Sequence, residues 1–104
     1  MRRRDPHRPG GPPISTAAVP VGGGIVLRGP DVVITQPTAG TFVAFSAICT
    51  HEGCRIHAVA GGTINCFCHG SRFRISDGAV VGGPARDPLP QVPIRVADGS
   101  IDLG

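Results

Sequence analysis

The apolar positions of this chain fall in short runs separated by glycine, proline and other turn residues. Four such runs follow one another through residues 15–48: STAAVPV, GGGIVLRGP, DVVITQPTAG and TFVAFSAI. Runs of this length, rich in Val and Ile and broken at regular spacing, are typical of an antiparallel all-β domain. The pattern contains no convincing amphipathic helix and no internal repeat.

Three turn signals predict hairpins in the second half of the chain. Gly61-Gly62 separates RIHAVA from TINC, Asp77-Gly78 separates FRIS from AVV, and Asp98-Gly99 lies within VPIRVADGSIDL. Such Gly-containing dipeptides are favoured in tight turns between strands. The first hairpin would bring residues 49–54 beside residues 66–71.

The positive charge of the chain is confined to its N-terminus. The formal net charge is +3, and four arginines against one aspartate within the first eight residues account for it. The rest of the chain is neutral, so no basic surface for nucleic acid is expected. Residues 1–14, rich in Pro, Gly and Arg, are predicted to be a disordered tail, and residues 15–104 a single folded domain.

All four cysteines and two of the four histidines lie in two short segments: CTHEGC, residues 49–54, and CFCHGS, residues 66–71. We call them the first loop and the second loop. One interpretation is two disulfides with incidental histidines. A second is a structural zinc held by the four cysteines or by two cysteines and two histidines, and a third is a two-iron cluster. The residue types alone leave all three open.

The spacing and the neighbouring residues resemble the Rieske [2Fe-2S] iron-sulfur family, in its disulfide-bearing, high-potential-like type. The match is Cys-Thr-His-x-Gly-Cys in the first loop and Cys-x-Cys-His-Gly-Ser in the second, followed by Phe73, Gly78 and Gly83-Pro84. It extends tightly over residues 45–85 and loosely over 20–104. The resemblance implies a Rieske-type antiparallel β-sandwich with a small cluster-binding subdomain, about residues 46–84, made of the two loops.

The resemblance also implies how the cysteines and histidines divide their tasks. One 2Fe-2S cluster is expected per chain. Cys49 and Cys66 are expected to bind one iron, and His51 and His69 the other. Cys54 and Cys68 are expected to form a disulfide between the loops. Closing that loop stabilises a domain by up to ~3 kcal/mol in the chain-entropy estimate.

Several neighbours are expected to tune such a cluster. Gly53 and Gly70 permit sharp turns that bring amide N–H groups close to sulfur. The Ser71 hydroxyl is expected to donate to a cluster sulfide and raise the potential, and Pro84 belongs to a loop that covers the cluster. Phe73 stands where high-potential members commonly carry an aromatic hydroxyl, which should lower the potential somewhat.

Two departures from the family pattern concern exposed or central positions of the loops. Glu52 replaces the apolar residue that quinol-oxidising members have at the tip of the first loop, and with His51 and His69 it would form the docking face. Phe67 replaces the usual proline between the cysteines of the second loop and is also a candidate for the core. His57 is interpreted as a strand residue without a ligand role.

The function expected from these residues is one-electron transfer rather than catalysis. The chain would be a soluble or tethered carrier, or the electron-transfer subunit of a larger oxidoreductase, with a redox protein as partner and no catalytic residue. The ferredoxin component of an oxygenase is the alternative within the family, although such ferredoxins usually lack the cysteines at positions 54 and 68. The alternative from another class is a zinc- or disulfide-stabilised binding module without redox role.

A stable disulfide favours a location outside the cytosol. No run approaches the roughly 20 apolar residues needed to span a bilayer, and the N-terminal arginines are not followed by the apolar stretch of an export signal. We therefore expect a protein that is exported or membrane-associated, with its signal or anchor outside this chain. Membrane contact is expected only through such an anchor.

Overall fold

A computed structural model describes residues 13–50 and 53–103. Most of the predicted N-terminal tail, residues 1–12, lies outside the described residues. The first strand begins at Ile14, which the sequence prediction placed in that tail, because Ile14 pairs with Ile101 near the other end of the chain.

The described residues form eleven short strands and one 3-10 turn, Thr16–Ala18. The strands are β1 (Ile14–Ser15), β2 (Gly23–Leu27), β3 (Val32–Thr38), β4 (Thr41–Ser46), β5 (Ala58–Ala60), β6 (Thr63–Asn65), β7 (Arg72–Arg74), β8 (Val80–Gly82), β9 (Gln91–Val92), β10 (Arg95–Ala97) and β11 (Ser100–Asp102).

The strands form three antiparallel sheets. The terminal sheet has the order β1-β11-β10, the central sheet β2-β3-β4-β9, and the loop-bearing sheet β5-β6-β7-β8. Neighbouring strands pair antiparallel in each of them. The all-β antiparallel architecture predicted from the sequence is therefore confirmed. Among the described residues no helix has both the length and the apolarity needed to cross a membrane.

Strand β3 is buried on both faces and separates two cores. Val32 and Ile34 pack into one core together with Ile101, whereas Val33 packs into the other together with Phe45. Successive side chains of a strand point to opposite faces, so a continuous apolar run suits this central position. The second core extends under the two cysteine-containing loops.

The three predicted hairpins are present. Gly61 and Gly62 form the two-residue turn between β5 and β6, and both have positive φ. Asp98 and Gly99 do the same between β10 and β11. Two successive residues with positive φ define the turn type that matches the twist of paired strands. The turn at residues 75–78 between β7 and β8 is longer.

The turn at residues 75–78 anchors the loop-bearing sheet to the central sheet. The Thr35 hydroxyl, fully buried in β3, donates to the Ile75 carbonyl at 2.8 Å. Gly78 lies against the ring of Phe45, and a Cβ there would stand 2.9 Å from ring carbons. The Gly78 carbonyl accepts the Leu89 N–H at 3.0 Å. The position of the two loops relative to the central sheet is therefore held by buried contacts.

Candidate metal centre

The first loop is a six-residue turn closed by backbone pairing. Ile48 and Arg55 flank it as an antiparallel bridge. Inside it, the Cys49 N–H donates to the Cys54 carbonyl at 2.6 Å, and the Gly53 N–H donates back to the Cys49 carbonyl at 3.0 Å. Gly53 has φ 75°, a conformation that glycine adopts without steric cost.

The second loop repeats this arrangement between β6 and β7. It is closed by the pair of Asn65 and Arg72. The Cys66 N–H donates to the Ser71 carbonyl at 2.9 Å, and the Gly70 N–H donates to the Cys66 carbonyl at 3.1 Å. Gly70 has φ 83°. Each loop thus places a cysteine first and a positive-φ glycine fifth within the same hydrogen-bond pattern.

Cys49 and Cys66 are buried thiols that lie next to each other. They are 3% and 2% exposed and neither is in a disulfide. Burial raises the pKa of the Cys66 thiol, and a side-chain hydrogen bond with Cys49 raises it further, whereas the backbone N–H groups of Cys68 and His69 lower it by bonding to the sulfur. Donors of this kind stabilise a thiolate, and hydrogen bonds to sulfur are a feature of iron-sulfur sites.

A disulfide joins the two loops through Cys54 and Cys68, whose Cα atoms are 6.5 Å apart. The Cys66 sulfur lies within 4.8 Å of both bonded sulfurs. Because bonded sulfurs offer no thiolate, this arrangement excludes a zinc site of four cysteines. It leaves Cys49 and Cys66 as the cysteine ligands available to a metal.

The histidines differ in how far the structure describes them. His51 and Glu52 lie outside the described residues, so the predicted docking face is described only at His69, which is exposed. His57 lies immediately before β5 rather than in it, and its ring stacks on that of Phe67. The placement of Phe67 in the core was wrong: the side chain is 64% exposed, because it lies at the tip of the second loop.

Residues 83–87 are tied to both loops by hydrogen bonds. The Ala85 N–H donates to the Ser71 hydroxyl at 3.0 Å, and the Thr50 hydroxyl donates to the Asp87 carbonyl at 2.6 Å. Ser71 is fully buried, and no acceptor for its hydroxyl proton is found in the described part of the chain. That buried donor is available to a group lying between the loops.

The sequence predicted some of the residues that surround the thiols and missed the contacts of others. Phe73 is fully buried in the core that also contains Cys49 and Cys66, and Pro84 is exposed after a cis peptide bond. Sequence reasoning missed Thr50, although its position between two candidate ligands was a signal. It also missed the contact of His57, for which the sequence carries no local signal.

These loops fit a 2Fe-2S cluster. They bring together two adjacent buried thiols, backbone N–H groups that bond to a sulfur, and a buried hydroxyl that accepts from the Ala85 N–H. His69 follows in the same loop as Cys66. Two thiolates with imidazoles form the ligand type in which histidines replace two cysteines on one iron.

Comparison with known proteins agrees with this chemistry. The family model for the Rieske [2Fe-2S] domain matches residues 16–93. The "Putative respiratory nitrate reductase subunit Rieske" of Haloferax mediterranei is 44% identical over 68 residues, which is 64% of this chain and 31% of that protein. The "Cytochrome b6-f complex iron-sulfur subunit" of Chlorobaculum tepidum is 40% identical over 85 residues, 80% of this chain and 46% of that protein. The chain thus spans a third to a half of the length of these relatives.

Solved structures show the same fold. The plasma membrane Rieske protein of the cyanobacterium Synechocystis PCC 6803 superposes with a TM-score of 0.66 at 29% identity, over 80% of this chain and 86% of that one. The ferredoxin of Sphingomonas yanoikuyae B1 superposes with a TM-score of 0.67 at 23% identity, over 86% of this chain and 91% of that one.

Proposed function

Because this chain belongs to the Rieske [2Fe-2S] family, we propose that its two loops hold one 2Fe-2S cluster through Cys49 and Cys66 on one iron and His51 and His69 on the other. The observation that carries this assignment is the pair of adjacent buried thiols left after the other two cysteines have formed a disulfide. A bound cluster of this type takes up and releases one electron. On this proposal the domain acts as an electron carrier and not as a catalyst.

Groups of the protein around the two thiols would stabilise the added negative charge of a reduced cluster. The cysteine side chains are withdrawn from water, and the Cys68 and His69 N–H groups stabilise negative charge on the Cys66 sulfur. The Ser71 hydroxyl accepts from the Ala85 N–H, and its own proton would be the donor to a bound cluster. Such donors favour the more negative, reduced state and so raise the potential. The buried ring of Phe73 supplies no such donor.

A redox protein is the partner that we propose for this domain. It would dock at the edge formed by the two histidine ligands, with Glu52 beside them. The exposure of His69 supports this position, and relatives named as subunits of a nitrate reductase and of a cytochrome b6-f complex support a protein partner. The carboxylate of Glu52 favours a polar docking surface over an apolar quinol pocket. It also favours a redox protein over quinol as the electron donor.

The proposed location is outside the cytosol, at or near a membrane. The disulfide supports it, because such bonds persist in oxidising compartments. The proposed domain comprises residues 15–104, and its cluster-binding subdomain residues 46–84. The tail, residues 1–14, would stay outside the folded unit except at its last residue, which is in strand β1.

Metal analysis of the freshly purified chain tests the ligand assignment. We expect about two irons and two acid-labile sulfides per chain, a red-brown colour, and after reduction an electron-paramagnetic signal with an average g below the free-electron value. Cys49→Ser, Cys66→Ser and His69→Ala should each lose the cluster, whereas the matched histidine control His7→Ala should keep it. A colourless protein with one zinc per chain would contradict the proposal.

A further inference from the structure

A stacked pair of aromatic rings lies beside the disulfide and takes no part in the ligand set proposed above. The rings of His57 and Phe67 have centroids 4.8 Å apart and planes inclined by 11°. His57 is the third residue after Cys54, and Phe67 immediately precedes Cys68. The stack therefore joins the segment leaving the first loop to the tip of the second, next to the covalent bond that joins the loops.

The two members of the stack are held unequally by the rest of the protein. The His57 N–H donates to the Asn65 carbonyl at 3.2 Å, and the preceding residue, Ile56, is fully buried and donates its N–H to Ala47. His57 is thus fixed to the body of the domain. Phe67 is 64% exposed, and among the described residues its backbone N–H makes no hydrogen bond. The ring contact is the side-chain contact that holds Phe67 to the first-loop segment, beside the disulfide at Cys68.

The two residues directly after Phe67 direct their backbone N–H groups at the Cys66 sulfur. The N–H groups of Cys68 and His69 bond to the Cys66 sulfur, and a small rotation of the loop tip would turn both away from it. Proline at this position would restrict the tip through its fixed φ. Phenylalanine does not restrict φ in this way, so the segment is ordered by the disulfide at Cys68, by the backbone hydrogen bonds of Cys66 and by the ring contact of Phe67.

We propose that the His57–Phe67 stack holds the second loop in the conformation that aims the Cys68 and His69 N–H groups at the Cys66 sulfur. Both residues are positioning residues, because they act through the backbone of the loop. The inference rests on the proposed function only for the identity of Cys66 as a ligand. The contact between the loops is present in either case.

The test measures the loop itself in the full chain as purified. Hydrogen-deuterium exchange of the segment 66–71, followed by mass spectrometry, reports the N–H groups, and the rate at which a dithiol reduces the Cys54–Cys68 bond reports opening. We expect His57→Ala and Phe67→Ala each to raise both rates roughly twofold to tenfold, the range expected for loss of one aromatic pair. The reduction potential should fall in both variants, because N–H donors to sulfur are weakened.

A double-mutant cycle separates positioning from general stability. The double alanine variant should exchange no faster than either single variant, since each single change already removes the stack. His57→Phe should preserve slow exchange. Phe67→Pro, which loses no backbone hydrogen bond, should make the loop insensitive to His57→Ala. Val81→Ala, a change of an exposed apolar side chain in β8, is the control and should change neither the exchange rate nor the rate of disulfide reduction.

Additive effects of the two alanine changes, or unchanged exchange in both, would overturn the proposal. Continued sensitivity of the Phe67→Pro variant to His57→Ala would overturn it as well. Iron content measured on the same samples keeps the two proposals distinct. A wrong ligand assignment changes the metal stoichiometry of the unmodified chain, whereas a wrong role for the stack leaves that stoichiometry intact and abolishes the coupling.

Discussion

The two loops of the metal centre share a pattern of backbone hydrogen bonds and a glycine position, and they differ in the side chains around them. Each has six residues, begins with a buried cysteine and has a positive-φ glycine in the fifth position. The second position of each loop holds it to a neighbour: Thr50 through a hydrogen bond to residues 83–87, and Phe67 through its ring contact with His57. The backbone frame therefore places the sulfurs, while the remaining positions supply cross-links and donors. Substitutions that alter the loop backbone and substitutions that remove a side-chain contact should therefore have separable effects on stability and on the cluster.

The largest expected effect comes from the cross-link between the loops. Cys54→Ala combined with Cys68→Ala should lower the free energy of unfolding by about 3 kcal/mol, the chain-entropy value for a loop of this size. Denaturant titration of the double variant and of the oxidised parent measures the difference. The parent with its disulfide reduced is the control and should lose a similar amount. Equal stability of oxidised and reduced parent would contradict the prediction.

The glycines of the frame come next. Gly53→Ala and Gly70→Ala should each cost about 1–2 kcal/mol of unfolding free energy, because both positions have positive φ. Among the described residues, chain neighbours aside, a Cβ at either position would meet no atom within 4 Å, so the cost is backbone strain alone. Asparagine at either position should cost less, since it tolerates this conformation better. Gly78→Ala should cost more unfolding free energy, because the new Cβ would clash with the Phe45 ring in addition to straining the positive-φ backbone. A large difference between the two loop glycines would show that the frames are not equivalent.

Smaller effects are expected from the ties to residues 83–87. Ser71→Ala should cost about 1 kcal/mol of stability, the net value of a buried hydrogen bond, and should lower the reduction potential because a donor to the cluster is lost. Thr50→Val should cost less, since its bond to Asp87 is exposed. Thermal unfolding and redox titration of both variants separate these contributions. A potential unchanged in Ser71→Ala would refute the donor role.

The smallest effect is expected at the turn between β7 and β8, away from both loops. A hydrogen bond from Arg74 lowers the pKa of Asp77 below its usual 3.8, and the Ala79 N–H lowers it further. The stabilisation is therefore present above pH 3.8 and is lost as the pH falls through the lowered pKa of Asp77. Both side chains are exposed, so the melting temperature of Asp77→Asn should fall slightly at pH 6 and match that of the parent at acidic pH. A difference in melting temperature that is larger at acidic pH than at pH 6 would contradict this prediction.

How far the sequence predicted the structure depends on the range of the interaction. The hairpins at Gly61-Gly62 and Asp98-Gly99 follow from dipeptides whose backbone preferences act within the turn itself. Phe67 was misplaced because burial depends on where the loop tip lies, and apolar character alone does not reveal that. The ligand assignment came from a resemblance of motifs. The residue types alone left a disulfide scaffold, a zinc site and an iron cluster open.

By itself, the sequence determined the all-β architecture, the turns and the kinds of ligand atoms in the two loops, because these depend on local backbone preferences and on residue chemistry. The motif resemblance already implied the bond between Cys54 and Cys68, which the structure contains. Only the tertiary structure decided two other contacts of the loops, the hydrogen bond between Ser71 and Ala85 and the stack of Phe67 on His57. Each of these contacts joins residues that lie at least ten positions apart in the sequence. Their formation depends on how the sheets bring distant backbone segments together in three dimensions.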